Sequence, residues 1–177
     1  FLPVTALQIL WINLVEGTLP SIALTMEKAE KDVMRRKPPK PNTSLLTRQM
    51  KTIIFVISVI TDLFLIALFY WLLHNTAYTQ AHIQTIVFVG IGIDSLLYVF
   101  SCRSLRKNIW EYNPFSNLWL VGSVLASFAL LVAAIYTPLL QNLFETEPLS
   151  LFDWTNLAIL GIINVLFIEF GKWIYIS

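Results

Sequence analysis

Four carboxylates, Glu16, Asp62, Asp94 and Glu169, stand inside long apolar runs of this sequence, and the first lies in the stretch WINLVEGTLP, residues 11–20. In hydrocarbon an ionised acid at mid-depth costs about 2.5 to 3.5 kcal/mol, so four left alone would cost on the order of 10 kcal/mol, comparable with the stability of a whole fold. Each must therefore be protonated, paired, hydrated or bound to a cation. Cation binding suits Glu16 best. On an α-helix Asn13 and Glu16 project about 60° apart, so their oxygens can converge. Gly17 and Pro20 follow at once and loosen the helix, which frees backbone carbonyls to join side-chain oxygens around an ion. The alternative for Glu16 is a protonated acid hydrogen-bonded to a neighbouring helix beside a proline kink.

Asp94 is the second candidate, since it follows Gly90 and Gly92 and precedes Ser95, where another backbone can come close. The same small residues also make ordinary helix packing with a structural hydrogen bond. Asp62 has Ser58 one turn earlier and Thr61 beside it, enough to satisfy a protonated acid locally. Glu169 lies within one turn of Lys172, which predicts an intrahelical pair or a snorkelling side chain. His74 and His82 read as solvated loop histidines with no cysteine or carboxylate nearby in sequence to complete a metal site. Asn42-Thr43-Ser44 matches a glycosylation acceptor, but its position among basic residues places it in the cytoplasm, where that modification does not occur.

These side chains need elements that can hold them in a membrane. The chain is 56% hydrophobic and 13% charged, with a mean hydropathy of +0.69, which excludes an ordinary solvated domain. Its net charge of +1 gives no reason to expect a nucleic-acid partner, and its single cysteine, Cys102, excludes an internal disulfide framework. Cys102 reads as a space-filler. Five continuous apolar stretches approach the length of about 20 residues that a bilayer requires: 3–24, 52–73, 83–100, 118–138 and 154–174. Continuous rather than alternating hydrophobicity excludes a strand barrel, so the fold class is all-α, a polytopic membrane bundle of five transmembrane helices. All twelve Lys and Arg fall in the 26–51 connection, between the third and fourth spans, or at the end of the fifth. Basic residues stay cytoplasmic, which places the N-terminus outside and the C-terminus in the cytoplasm. An N-terminus outside, opening on Phe1, predicts a piece of a longer chain with an earlier helix. The 26–51 connection reads as a short helix, paired Glu27 to Lys31, giving way to an extended linker at Pro38, Pro39 and Pro41. Its basic run also suits anionic headgroups of the lipid bilayer.

The segment LPVTALQILWINLVEGTLPSIAL, followed by EKAEKDVMRRKPP, resembles the C-terminal transport region of type II P-type cation ATPases, the calcium and sodium pumps, and NLWLVGS at 117–123 resembles their ninth helix. The resemblance covers essentially the whole chain, 1–177, and implies that the five spans are the sixth to the tenth helices of such a pump. It implies that Asn13 is a cation ligand and that Asp94 matches the eighth-helix acid of calcium pumps. Glu16 stands where those pumps have a ligating Thr, and Gly17 where they have their sixth-helix Asp, so the acid is displaced by one position, about 100° around a helix. The expected cation ligands are thus Asn13, Glu16 and Asp94, with no catalytic residue. The sequence has no Asp-Lys-Thr-Gly phosphorylation motif and no Walker loop. The resemblance therefore implies that ATP and Mg2+ are handled by upstream cytoplasmic domains, whose motions the 26–51 connection would receive, while this chain binds no cofactor and passes the cation, with protons counter-transported through Glu16 or Asp94. A transport-inactive subunit or scaffold that keeps the bundle is the alternative, for which Gly17 speaks. A small secondary transporter is disfavoured by the odd number of spans and the lack of an inverted repeat.

Overall fold

The computed structural model describes residues 2–27, 48–103 and 113–176. The described residues are helical, with no strand among them. The first helix begins at α1 (Ala6–Trp11), widens into a π-helical segment over Ile12–Gly17 and resumes as α2 (Thr18–Leu24). Thr5 and Gln8 start it with a reciprocal capping box, Thr5 Oγ1 accepting from the Gln8 N–H and Gln8 Oε1 from the Thr5 N–H. Then come α3 (Arg48–Asn75), α4 (Gln80–Cys102), a 3-10 turn at Pro114–Ser116, α5 (Leu118–Tyr136), α6 (Pro138–Phe144) and α7 (Leu151–Ile176). Thr79 caps α4 and Asn117 caps α5, each through a side-chain oxygen.

Among the described residues, four helices are long and apolar enough to cross a membrane: Ala6–Leu24, Gln80–Ser101, Leu118–Tyr136 and Leu151–Trp173. These agree within a few residues with four of the stretches expected from sequence. The remaining stretch is occupied by α3. Most of the expected helix-and-linker of the 26–51 connection falls on 28–47, outside the described residues, as does Asn42. The Cys102 side chain also lies outside them.

Helix α4 is the hub, because its glycines let other elements approach on two sides. Built onto Gly90, a methyl group would touch Leu65 of α3 and Leu157 of α7; built onto Gly92, it would run into Glu16 and Leu131 of α5. Phe88 and Val89, just before Gly90, are completely buried. One apolar cluster gathers Phe69, Leu72, Ile86, Leu131 and Leu157 around this hub, and a second joins Ala23, Val99 and Leu120 at the other end. Large apolar side chains such as Leu14, Ile22, Leu63 and Leu125 remain exposed on the outside, as a bilayer or further helices require.

Helix α6 was not expected, since 139–153 read as an outer connection. Pro138 starts it at a position where a missing N–H is harmless. Glu145, at φ 54°, turns the chain out of it in the left-handed region. The buried Gln8 side chain donates to Phe144 O at 2.9 Å, so the first helix caps the last turn of α6.

At the opposite end, Arg103 after α4 grips Glu27 after α2 through Nε (3.0 Å) and a second guanidinium nitrogen (2.6 Å). Asn117 Nδ2 adds a bond to Glu27 Oε2 at 2.9 Å and reaches Ala23 O at 3.3 Å. The Arg103 hydrogen bonds, chiefly, hold the Glu27 carboxyl below its usual range, with Asn117 assisting and partial burial opposing. A depressed carboxyl adds stability that is fully present above the usual Glu pKa, about 4.3, and is lost as pH falls through the lower value. The melting temperature of the purified protein is therefore expected to drop as pH is taken below about 4, and Glu27→Gln to flatten that part of the profile.

Candidate cation-binding site

The π segment has a local cause. Pro20 lacks an N–H, and its ring crowds the carbonyl of Glu16 four residues earlier, so the ordinary i to i−4 ladder cannot run through this turn. The chain responds by widening, with side chains serving some of the carbonyls: Thr18 Oγ1 donates to Asn13 O at 3.1 Å and Ser21 Oγ to Gly17 O at 2.5 Å. The expected unwinding of the helix is thus a single wide turn, a form that recurs at functional sites. Ser127 of α5 donates to Val15 O at 2.9 Å and ties the wide turn to the bundle.

Glu16 is 2% exposed and points inward. Its two oxygens lie beside Gly92, within 3 Å of where a methyl group there would sit, and neither has a hydrogen-bond partner among the described residues. An acid without a donor in such a place carries its full desolvation penalty if ionised. Asn13 does not share this pocket. Its side chain is on the exposed face and donates to Ile9 O at 2.9 Å. The α-helical offset that would bring the two together does not hold in the wider turn. The exposed face instead carries Asn13, Gly17, Thr18 and Ser21 in a polar stripe along an otherwise apolar helix.

Asp94 is brought to a different place. It lies two residues beyond Gly92, about 200° around α4, and accepts a hydrogen bond from Asn164 Nδ2 of α7. Asn164 Oδ1 in turn accepts from Thr61 of α3 at 2.9 Å. These three side chains line a cavity of about 50 Å³ with Gly90 and Gly161, roomy enough for water. The three expected ligands therefore occupy three environments: a lipid- or helix-facing stripe, a buried interface and a hydrogen-bonded cavity. Among the described residues no cluster of three or more His, Cys, Asp or Glu is arranged to hold a metal. Sequence reading passed over Asn164, although a lone amide in the apolar run INVLF was itself the signal.

Other expectations resolve as follows. Thr61 turns to Asn164 rather than to Asp62, which is exposed on α3. Glu169 and Lys172 do pair, at 2.8 Å, but both are buried rather than snorkelling, and Lys172 Nζ also donates to Ser101 O at 2.5 Å. His82 is not a solvated loop histidine. Its two ring nitrogens face Glu147 (3.4 Å) and Asp153 (3.3 Å), carboxylates that the fold brings from the α6–α7 connection and the start of α7. Tyr78 packs on the same ring, tilted by 51° with centroids 4.5 Å apart, and the Asp153 charge, ahead of burial, pushes its phenol above the usual range.

A wide-turn acid and a polar stripe on a membrane helix are features of a transport protein, and sequence comparison supplies its kind. Residues 1–174 match the family model for the C-terminus of cation transporting ATPases. The chain belongs to this cation transporting ATPase family. A calcium-transporting ATPase of Bacillus subtilis (strain 168) is 40% identical over 86% of the chain, and calcium-transporting ATPase 1 of Bacillus cereus (strain ATCC 10987 / NRS 248) is 32% identical over 96%. Calcium-transporting ATPase type 2C member 1 of Homo sapiens is 32% identical over 85%. The chain spans 17%, 21% and 16% of the lengths of these three relatives. Membership of this family fits the apolar exterior of its helices, four of which are long and apolar enough to cross a membrane.

Proposed function

We propose that the chain carries part of the ion path of a cation pump whose ATP- and Mg2+-handling domains precede it, and that Glu16 is the group whose charge is exchanged during transport. The observation that carries this reading is a buried acid, without a hydrogen-bond donor among the described residues, on a π-helical turn. Such a group is tolerated as a protonated acid or beside a cation, and switching between the two is what a transport cycle needs. In the wide turn Glu16 is withdrawn against Gly92; in an α-helical register it would lie about 60° from Asn13 and join the polar stripe. Alternation between these registers would present the acid to an ion and remove it again. A calcium ion takes six to eight oxygens, so upstream helices packed on the Asn13 stripe would complete the shell. Asp94 would act as a separate polar station. Calcium is the first ion to test, because it is named in the relatives. In this reading α3 is a fifth span, the spans are the sixth to tenth of the pump, and the basic 26–51 connection faces the cytoplasm with the C-terminus.

The test is Glu16→Gln in the full-length protein, with cation-dependent phosphorylation from ATP as the readout. The expected result is a rise of about tenfold in the cation concentration for half-maximal phosphorylation, equivalent to about 1.4 kcal/mol. An unchanged concentration overturns the assignment of Glu16. A second reading, a transport-inactive subunit, is favoured by Gly17. Nothing local requires that glycine: its φ is an ordinary helical −78° and a methyl there would meet only Ile12 O at 3.9 Å. That reading predicts no cation dependence even in the wild type.

A further inference from the structure

We infer that Glu27, Arg103 and Asn117 form a clamp that sets how movement of the cytoplasmic connection reaches the wide turn, making them positioning residues for transport; this rests on the pump reading above. Glu27 stands three residues beyond Leu24, the end of α2, and its N–H still donates to Leu24 O at 3.0 Å, so a displacement at the start of the 26–51 connection is passed to α2 through this residue. Three side-chain bonds fix this point to the end of α4 and the start of α5: two from Arg103 and one from Asn117. Arg103 also donates to Asn113 O (3.2 Å) and Ser116 Oγ (2.7 Å), which anchors the guanidinium to the turn before α5. Its side chain is 4% exposed, and Asn117 is also buried. Charged, bidentate bonds of this kind fix geometry as well as adding energy.

Between the clamp and the wide turn lies α2, only seven residues long. A short helix held at one end and continuous with a deformable turn at the other can rotate but cannot slide. Displacement of the connection is then converted into a change of register at Ile12–Gly17, where Glu16 sits. Release of the clamp lets α2 slide, and the same displacement then reaches the wide turn as a translation rather than as a change of register at Glu16. The chemistry would run on while the ion is left behind.

The measurement is ions transported per ATP hydrolysed by the full-length pump in sealed vesicles, a ratio that a lower yield of folded protein does not alter. Glu27→Gln, Arg103→Glu and Asn117→Ala are each expected to lower the ratio by roughly three- to tenfold, as fits the loss of a charge-assisted bond, while ATP hydrolysis continues. Exchanging the charges, Glu27→Arg with Arg103→Glu, is expected to recover most of it. An active wild type whose single variants keep the wild-type ratio overturns the clamp and leaves the pump reading standing. A wild type without cation-dependent ATP hydrolysis removes the pump reading and the clamp's role with it. Because Glu27→Gln keeps the shape of the side chain, it decides the matter if a charge-reversed variant fails to fold.

Discussion

Lys172→Met is expected to destabilise the bundle by about 3 to 5 kcal/mol, the cost of breaking a buried ion pair by removing one partner. Lys172 is 1% exposed and Glu169 is 0% exposed, so neither charge can be handed to water when the other is deleted. The substitution also takes the donor from Ser101 O at the end of α4, in a place where the Ser101 hydroxyl is already buried without a partner among the described residues. The double variant Glu169→Leu with Lys172→Met is expected to recover most of the loss, because a buried pair replaced by apolar groups of similar size is often neutral or stabilising. Equilibrium unfolding in detergent, compared across the wild type, both single variants and the double, measures the coupling directly. A single variant within about 1 kcal/mol of the wild type would show that the pair is solvated.

Gly92→Ala carries the second large effect, expected at about 1 to 3 kcal/mol for overpacking. The added methyl would sit 2.7 and 2.9 Å from the two Glu16 oxygens and 2.9 Å from Leu131 Cδ2. All three atoms are the ends of side chains, but Leu131 is completely buried and Glu16 nearly so, which leaves little room to turn aside. Glu16 should be the group that yields, since no hydrogen bond from the described residues holds it there. The functional signature is then opposite to that of Glu16→Gln. With the carboxylate pushed from its recess, the cation concentration for half-maximal phosphorylation should fall. Gly122→Ala is the control. No atom lies within 4 Å of its added methyl, so its stability should stay within about 0.5 kcal/mol of the wild type.

The helical class and the positions of four spans were legible because continuous apolar length is a strong signal and backbone satisfaction in lipid leaves few alternatives. Glu16 was legible as an anomaly for the same reason. What it touches was not, because the wide turn arises from an interplay of Pro20 with hydroxyls at Thr18 and Ser21, and periodicity assumes a fixed number of residues per turn. That assumption placed Asn13 beside Glu16, and the π segment separates them. Asp94 was correctly singled out as costly, yet its partner Asn164 is 70 positions away, beyond the reach of any local pattern. His82 failed in the same manner: its carboxylates lie close in space and 65 or more residues away in sequence. Helix α6 was missed because a seven-residue helix is too short to show a period.

The long separation of these partners has a consequence for how the protein is made. Asp94 and the Ser101 carbonyl leave the ribosome 70 and 71 residues ahead of Asn164 and Lys172, the groups that satisfy them. At 5 to 20 residues per second, translation leaves an interval of about 3 to 14 seconds in which α4 is already synthesised and its polar atoms lack those partners. A stop codon that removes α7 would therefore leave Asp94 and the Ser101 carbonyl without these partners for good, a larger defect than the loss of one helix's packing.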